Sequence, residues 1–374
     1  MAGLYFHVPF CKQACYYCDF HFSTNTQSME ALWGAMRKEM LLQKDFLREP
    51  VETLYFGGGT PSLLPEEMLA GLVQTARALF PVSDNPEITL EANPDDLSPE
   101  KLKALKKAGI NRLSVGIQSF QPDILKFLHR AHDADAARRC LRESREAGFQ
   151  NINVDLIYAI PGLDLDLWQA TLEEAMGFRP FHLSLYALTI EERTVFGNWH
   201  KKGKIRTVSD DLAARQFERL QEVLGANGYE HYEISNAALP GFHARHNSNY
   251  WLQRPYLGIG PSAHSYDGSR RLINVPNNAR YIKALAEDKS PAETETLTPE
   301  DKINEFILTR LRTRWGCDMK VLREEHHDEL MTRCGTLIRR YEEQDLLTVH
   351  DEILRLTRKG MLLADQVTQE LMIG

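Results

Sequence analysis

Three cysteines, Cys11, Cys15 and Cys18, fall in one short stretch, YFHVPFCKQACYYCDF, with CxxxCxxC spacing. Cysteine thiolates hold iron–sulfur clusters, and a 4Fe–4S cube has four irons to ligate. Three protein thiolates leave one iron open, and an open coordination position is where a metal site does chemistry rather than only holding structure. Zinc is the rival reading. A structural zinc wants four ligands, and His7 or His21 could supply the fourth. A redox disulfide between Cys15 and Cys18 is a weaker rival, because it leaves Cys11 unexplained. The other three cysteines, Cys140, Cys317 and Cys334, are scattered.

Further polar residues sit where a ligand could use them. Gly57-Gly58-Gly59-Thr60 follows a strand-like run at 53–56. Glycines let the backbone approach a ligand closely, although such a loop can also be a plain turn. It is not a nucleotide P-loop, since no Gly-Lys-Ser/Thr follows. Glu91, Gln118 and Asp155 fall at or near the ends of three successive strand-like runs. Taken singly, each reads as structural; together, on strand ends that converge, they read as one polar wall. Carboxylates suit ribose hydroxyls because they accept two hydrogen bonds. Arg130, in HRAH, could grip a carboxylate bidentately or lie on the surface. HNSNYW at 246–251 places His246 beside Asn247, Tyr250 and Trp251. A histidine among aromatics is commonly a packed one, yet neutral imidazole is also the commonest axial ligand of heme iron. His243 is a second candidate, and His326-His327 reads as solvent-exposed on a tail helix.

The elements that must position these residues alternate. Strand-like runs at 4–8, 53–56, 87–92, 112–117, 152–158 and 182–188 are each followed by a helical pattern. Six β-then-α units predict an α/β fold with a parallel sheet, either a partial barrel or a doubly wound sheet. In both, ligands gather at the C-terminal strand ends. The alternation stops near residue 229. The predicted partition is 1–235 for the barrel and 236–290 for a connecting segment carrying the His246 motif. A small, mostly helical domain follows at 291–374, with 290–299 (SPAETETLTP) as a polar linker. Helices near 319–325 and 330–344, then a hairpin at 346–350 and 353–356, give the tail a winged-helix-like pattern.

The chain has 374 residues, 43 % hydrophobic and 26 % charged, with net charge −8. That acidic balance argues against nucleic-acid partners, so the winged-helix pattern does not by itself imply DNA binding. No apolar run is long enough to span a bilayer, and no signal peptide is visible. Unclustered cysteines outside the N-terminal loop fit a reducing cytoplasm. The cytoplasm is therefore the expected location, with membranes met only by transient association.

CxxxCxxC after the first strand of a βα series resembles the radical S-adenosylmethionine (SAM) superfamily. YFHVPFC, YFGGGTP, GIQS and DLIYAIPG resemble one branch of it, which holds oxygen-independent coproporphyrinogen III oxidase and a related heme chaperone. The resemblance covers nearly the whole chain. It implies a partial (β/α)6 TIM-like barrel with a 4Fe–4S cluster on Cys11, Cys15 and Cys18. SAM would chelate the open iron through its amino and carboxylate groups and be cleaved by one electron to methionine and a 5′-deoxyadenosyl radical. It implies SAM contacts at Tyr5, Tyr17, Gly58, Gly59, Thr60, Glu91, Gln118, Arg130 and Asp155. HNxxYW resembles the heme-chaperone signature, which implies heme binding at His246, supported by Asn247, Tyr250 and Trp251.

Two departures separate the relatives. The oxidase pattern is CxxxCxxCxC, but Phe20 stands at the fourth position, and only Met1-Ala2-Gly3 precede the first strand, where the oxidase has an extension. The expected function is therefore a heme chaperone of porphyrin metabolism, passing heme b to apo-cytochromes and other respiratory proteins. The alternative is decarboxylation of coproporphyrinogen III to protoporphyrinogen IX.

Overall fold

Apolar and polar residues alternate along the six predicted strands, and the alternation sorts the two faces of one sheet. The computed structural model describes residues 1–326 and 329–373, without the side chains of 325 and 326. The reading of His326-His327 therefore lies outside the described side chains. Strands β1 (Ala2–Val8), β2 (Val51–Gly58), β3 (Val82–Ala92), β4 (Arg112–Gln118), β5 (Asn151–Tyr158) and β6 (His182–Ala187) pair in that order, all parallel. Leu4, Phe6, Leu54, Phe56, Leu113, Val115, Val154 and Leu183 are buried in the large core beneath the outer helices. The residues between them are polar: Thr53, Glu87, Thr89, Arg112, Ser114, Asn153, His182 and Ser184, all buried. Parallel sheets are normally apolar on both faces. A polar inner face means that this one wraps around something other than a hydrocarbon core.

The intervening helices start at side-chain caps. Ser98, Asp133, Asp164 and Ser209 each accept a hydrogen bond from the N–H three residues on. Such a cap contributes about 1 kcal/mol. The α/β architecture and the six parallel units thus match the sequence expectation.

Residues 230–296 add strands to both edges of the sheet. β7 (Glu230–Glu233) and β8 (Asn236–Ala238) add antiparallel strands beyond β6. β9 (Tyr256–Ile259) pairs parallel to β1, followed by antiparallel β10 (His264–Tyr266) and β11 (Arg270–Asn274). The expected linker contains β12 (Ala292–Thr296), paired to β11. Four of its five residues are solvent-exposed, so an edge strand there has the composition of a linker. The sheet has twelve strands, in the order β12-β11-β10-β9-β1 to β6-β8-β7.

Glu39, on helix Met29–Leu42, fastens this added edge. It is 2 % exposed and accepts hydrogen bonds from Gly260 N (2.9 Å), Asn274 Nδ2 (2.7 Å) and the Tyr281 hydroxyl. Burial pushes its carboxyl up to about 7.

The tail begins at a capping box between Thr298 and Asp301. Its helices and the small sheet β13 (Cys317–Asp318), β14 (Leu347–His350) and β15 (Ile353–Leu356) enclose a separate core around Ile303, Phe306, Leu322, Ile338 and Leu354. The winged-helix-like pattern is present. The tail docks on the barrel through Arg312, whose guanidinium meets the buried Glu233 carboxylate at 2.6 Å. Among the described residues no helix is long and apolar enough to cross a membrane.

Candidate functional site

The polar inner face and the cysteine loop enclose a cavity of about 600 Å³ at the C-terminal strand ends. Eleven predicted site residues line it: Cys11, Cys15, Tyr17, Cys18, Gly58, Gly59, Thr60, Glu91, Gln118, Arg130 and Asp155. Asn247 of the second motif joins them.

The cysteine loop is tied down along its length. The Tyr16 ring stacks on His129 at 4.2 Å, and its N–H donates to Leu128 O. Gln13 Nε2 donates to His129 O at 2.8 Å, and His129 Nδ1 lies 2.8 Å from Ala14 O. The thiols are half-buried. Thr60 Oγ1 donates to Cys11 Sγ at 3.5 Å, and Arg130 Nη1 donates to Cys15 Sγ at 3.3 Å and to Tyr17 Oη at 3.2 Å. Arg130 Nη2 donates to Gly116 O at 2.9 Å and to Asn93 Oδ1. Arg130 is thus no surface arginine. Burial pushes the Cys18 thiol up to about 11 and raises Cys11 as well.

Among the described residues no three His, Cys, Asp or Glu side chains converge on a single metal position. A cubane does not need that, because its three thiolates bind three different irons at separate corners. Three half-buried thiols on one cavity wall, two of them already accepting hydrogen bonds, fit such a cluster.

The glycine loop must be glycine. Gly58 has φ +111°, and a Cβ there would meet the His7 ring at 2.8 Å. A Cβ on Gly59 would meet Phe10 O at 2.7 Å. Gly59 N and Thr60 N donate to Val8 O and Phe10 O, which seats the loop against the start of the cysteine stretch. Gly58 N donates to Glu91 Oε2 at 3.2 Å, and Tyr55 Oη donates to Glu91 Oε1 at 2.8 Å. Burial pushes the Glu91 carboxyl up to about 7 and Asp155 up to about 6. Gln118 takes a left-handed φ of 64° at the end of β4, a strained conformation for a residue with a side chain.

The floor of the cavity was not singled out from the sequence. Asn153 Nδ2 donates to Ser114 Oγ (2.8 Å), Asp155 Oδ1 (2.7 Å) and Ser184 Oγ (2.9 Å). Arg112 is 1 % exposed, and its Nε and Nη2 have no partner among the described residues. The signal was available, since these residues are the polar members of period-two patterns in strands otherwise apolar.

His246 presents no nitrogen to either cavity. It is 1 % exposed, with Nδ1 2.7 Å from Thr53 Oγ1 and Nε2 2.8 Å from Tyr250 Oη. Its ring stacks on Tyr55 at 5.0 Å, and its N–H donates to Glu87 Oε1 at 3.0 Å. Burial holds the imidazole neutral, its pKa lowered to about 3. Trp251 packs under the Arg312 guanidinium at 4.7 Å, and His243 meets Glu230 at 2.8 Å, away from both cavities. Tyr5 also misses the large cavity. With Tyr250 it lines a second one of about 400 Å³, beside His7, His21, His264 and Tyr256. Phe20 lines both cavities and is 73 % exposed.

Residues 5–175 match the radical SAM superfamily, and residues 297–363 match the HemN C-terminal domain. The chain is similar to the heme chaperone HemW of Bacillus subtilis, 36 % identical over 98 % of both chains. It is 34 % identical to the heme chaperone HemW of Escherichia coli, over 83 % of this chain and 82 % of that one. The structure of coproporphyrinogen III oxidase (HemN) from Escherichia coli superposes with a TM-score of 0.85, covering 99 % of this chain and 90 % of that one at 23 % identity. At that identity the superposition speaks for the fold alone.

Proposed function

The chain belongs to the HemW family of heme chaperones within the radical SAM superfamily, and we propose that it binds heme and hands it to proteins that need it. The observation that carries this reading is the likeness to a named heme chaperone along 98 % of both chains, barrel and tail together. A 4Fe–4S cluster and SAM are the cofactors that membership in the superfamily implies. When bound, the cluster supplies an electron and SAM the group that accepts it.

In this reading Cys11, Cys15 and Cys18 ligate the cluster, and Thr60 and Arg130 fix the thiols that they already bond. Gly58, Gly59 and Thr60 offer backbone to the amino-acid end of SAM. Glu91, Gln118 and Asp155 offer acceptors to its ribose. Tyr17 closes the wall beside Arg130. The acceptors of heme are apo-cytochromes and other respiratory heme proteins, and the site of action is the cytoplasm.

The test is anaerobic cluster reconstitution followed by two additions. Heme should be taken up stably and transferred to an apo-cytochrome. Coproporphyrinogen III with SAM and a reductant should yield no protoporphyrinogen IX. Catalytic formation of that product would replace the chaperone reading with the oxidase one.

A further inference from the structure

The charges between Arg193 and Ser209 are all of one sign. The chain has net charge −8, yet this stretch holds Arg193, Lys201, Lys202, Lys204 and Arg206 and no Asp or Glu. All five cations are exposed. Arg193 pairs with Asp19 at 3.0 Å and Lys201 with Glu192 at 3.3 Å. Lys202, Lys204 and Arg206 have no side-chain partner among the described residues. A run of like charge is commonly a solvated face and nothing more. What sets this one apart is where its segment is packed.

The helix Val195–Lys201, which leads into the unpaired cations, is seated on the cysteine loop. Phe196 is fully buried, and its N–H donates to Tyr16 O at 3.0 Å. The Trp199 ring meets the Tyr16 ring edge-on at 5.0 Å, and the Phe196 ring meets it at 6.0 Å. Tyr16 lies between Cys15 and Cys18, and Asp19, the partner of Arg193, directly follows Cys18. The basic segment therefore holds the loop on both sides of Cys18. Trp199 is half-buried, so an aromatic pair connects the protein surface to the residue next to Cys15.

SAM receives an electron only after one has reached the cluster. Electron-transfer partners meet through small interfaces and are steered by opposite charge. Unpaired cations draw an acidic partner to this face, while the acidic balance of the whole chain disfavours its approach elsewhere. Resting on the cluster reading above, we propose that Lys202, Lys204 and Arg206 form the docking face for a small acidic electron-carrier protein of the flavin or iron–sulfur class. The carrier is oxidised by one electron and the cluster is reduced by one, at the Trp199–Tyr16 side of the loop. No covalent bond forms or breaks.

Stopped-flow reduction of the full-length protein with its cluster reconstituted, by dithionite and by reduced flavodoxin, tests this. Lys202→Glu/Lys204→Glu/Arg206→Glu should slow reduction by flavodoxin about tenfold or more and weaken flavodoxin binding in step. The same variant should keep the wild-type dithionite rate, cluster content and melting temperature. Added salt should slow the wild-type reaction with flavodoxin and hardly change that of the variant. Lys202→Arg/Lys204→Arg should keep the wild-type rate, since charge and not lysine is read. A charge-reversed variant that flavodoxin reduces at the wild-type rate overturns the docking face and leaves the cluster reading intact. If that variant has also lost binding to phosphatidylglycerol vesicles, the face belongs to a membrane. A wild-type protein without a cluster that dithionite reduces overturns both.

Discussion

On one side of β1, Arg130 and Thr60 already bond two of the three thiols, and the glycine loop is packed against the cysteine stretch. On the other side, His21 and His264 keep open nitrogens and Phe20 keeps an exposed ring. Preorganisation lowers the cost of binding by removing freedom beforehand. The thiol end of the large cavity is set before its ligand arrives, which suits a resident cofactor, while Arg112 on the floor keeps Nε and Nη2 without partners among the described residues. A site with open lone pairs and an exposed ring suits a ligand that comes and goes. The shared neighbourhood makes the contrast informative, because Asp19 and Phe20 line both cavities.

The strongest way to break this contrast is Cys15→Ala. It should abolish iron and sulfide retention, read by metal analysis and visible absorption. Retention of a full cluster signal would show that Cys15 is not a ligand. Next, Glu39→Ala strands three donors behind β9 and β11 and should cost about 3 kcal/mol in urea unfolding. It should leave cluster retention in place, since it unfastens the β9–β11 edge and not the cysteine wall. Gly58→Ala puts a Cβ against the His7 ring at a positive φ and should cost about 1–3 kcal/mol. Because Gly58 lines the large cavity and its added Cβ would strike His7 of the second, that variant should disturb both.

The smallest effect is electrostatic. The folded Glu91 carboxyl is raised to about 7 from 4.5 by burial. Its contribution is therefore complete below about pH 4.5 and is lost as pH rises through about 7. Glu91→Gln lacks that loss, so its melting temperature should gain on wild type as pH increases across this window. A constant difference would mean that Glu91 is not the titrating group. The variant tests only the cofactor side, since Glu91 lines the large cavity and not the other.

Much of the cofactor side was legible in the sequence because its determinants are local. CxxxCxxC, the glycine run and the acidic strand ends each announce themselves within a few residues, and six βα units follow from periodicity. The histidine side was not legible. It is assembled from β1, the cysteine loop, Tyr250 and β10, which lie far apart in the chain. His264 follows Gly260-Pro261 in a stretch without clear period, and nothing local marks its ring as unpartnered. The His246 motif is ambiguous locally because histidine beside Tyr and Trp suits either a ligand or a packed ring. In the structure its two ring nitrogens meet Thr53 and Tyr250. The linker at 290–299 misled because an exposed edge strand carries the same residues as a loop.

The Glu39 clamp also sets an order of events during synthesis. Its three partners lie 221, 235 and 242 residues downstream. A nascent chain that has completed β1 to β6 still carries a carboxylate without its three donors and a first strand without β9. Contacts that span so much sequence form late and slowly. Ribosome-bound chains ending before residue 256 should leave β1 open to protease, and chains extending past Tyr281 should protect it. Part of the second cavity would then be among the last features of the barrel to exist.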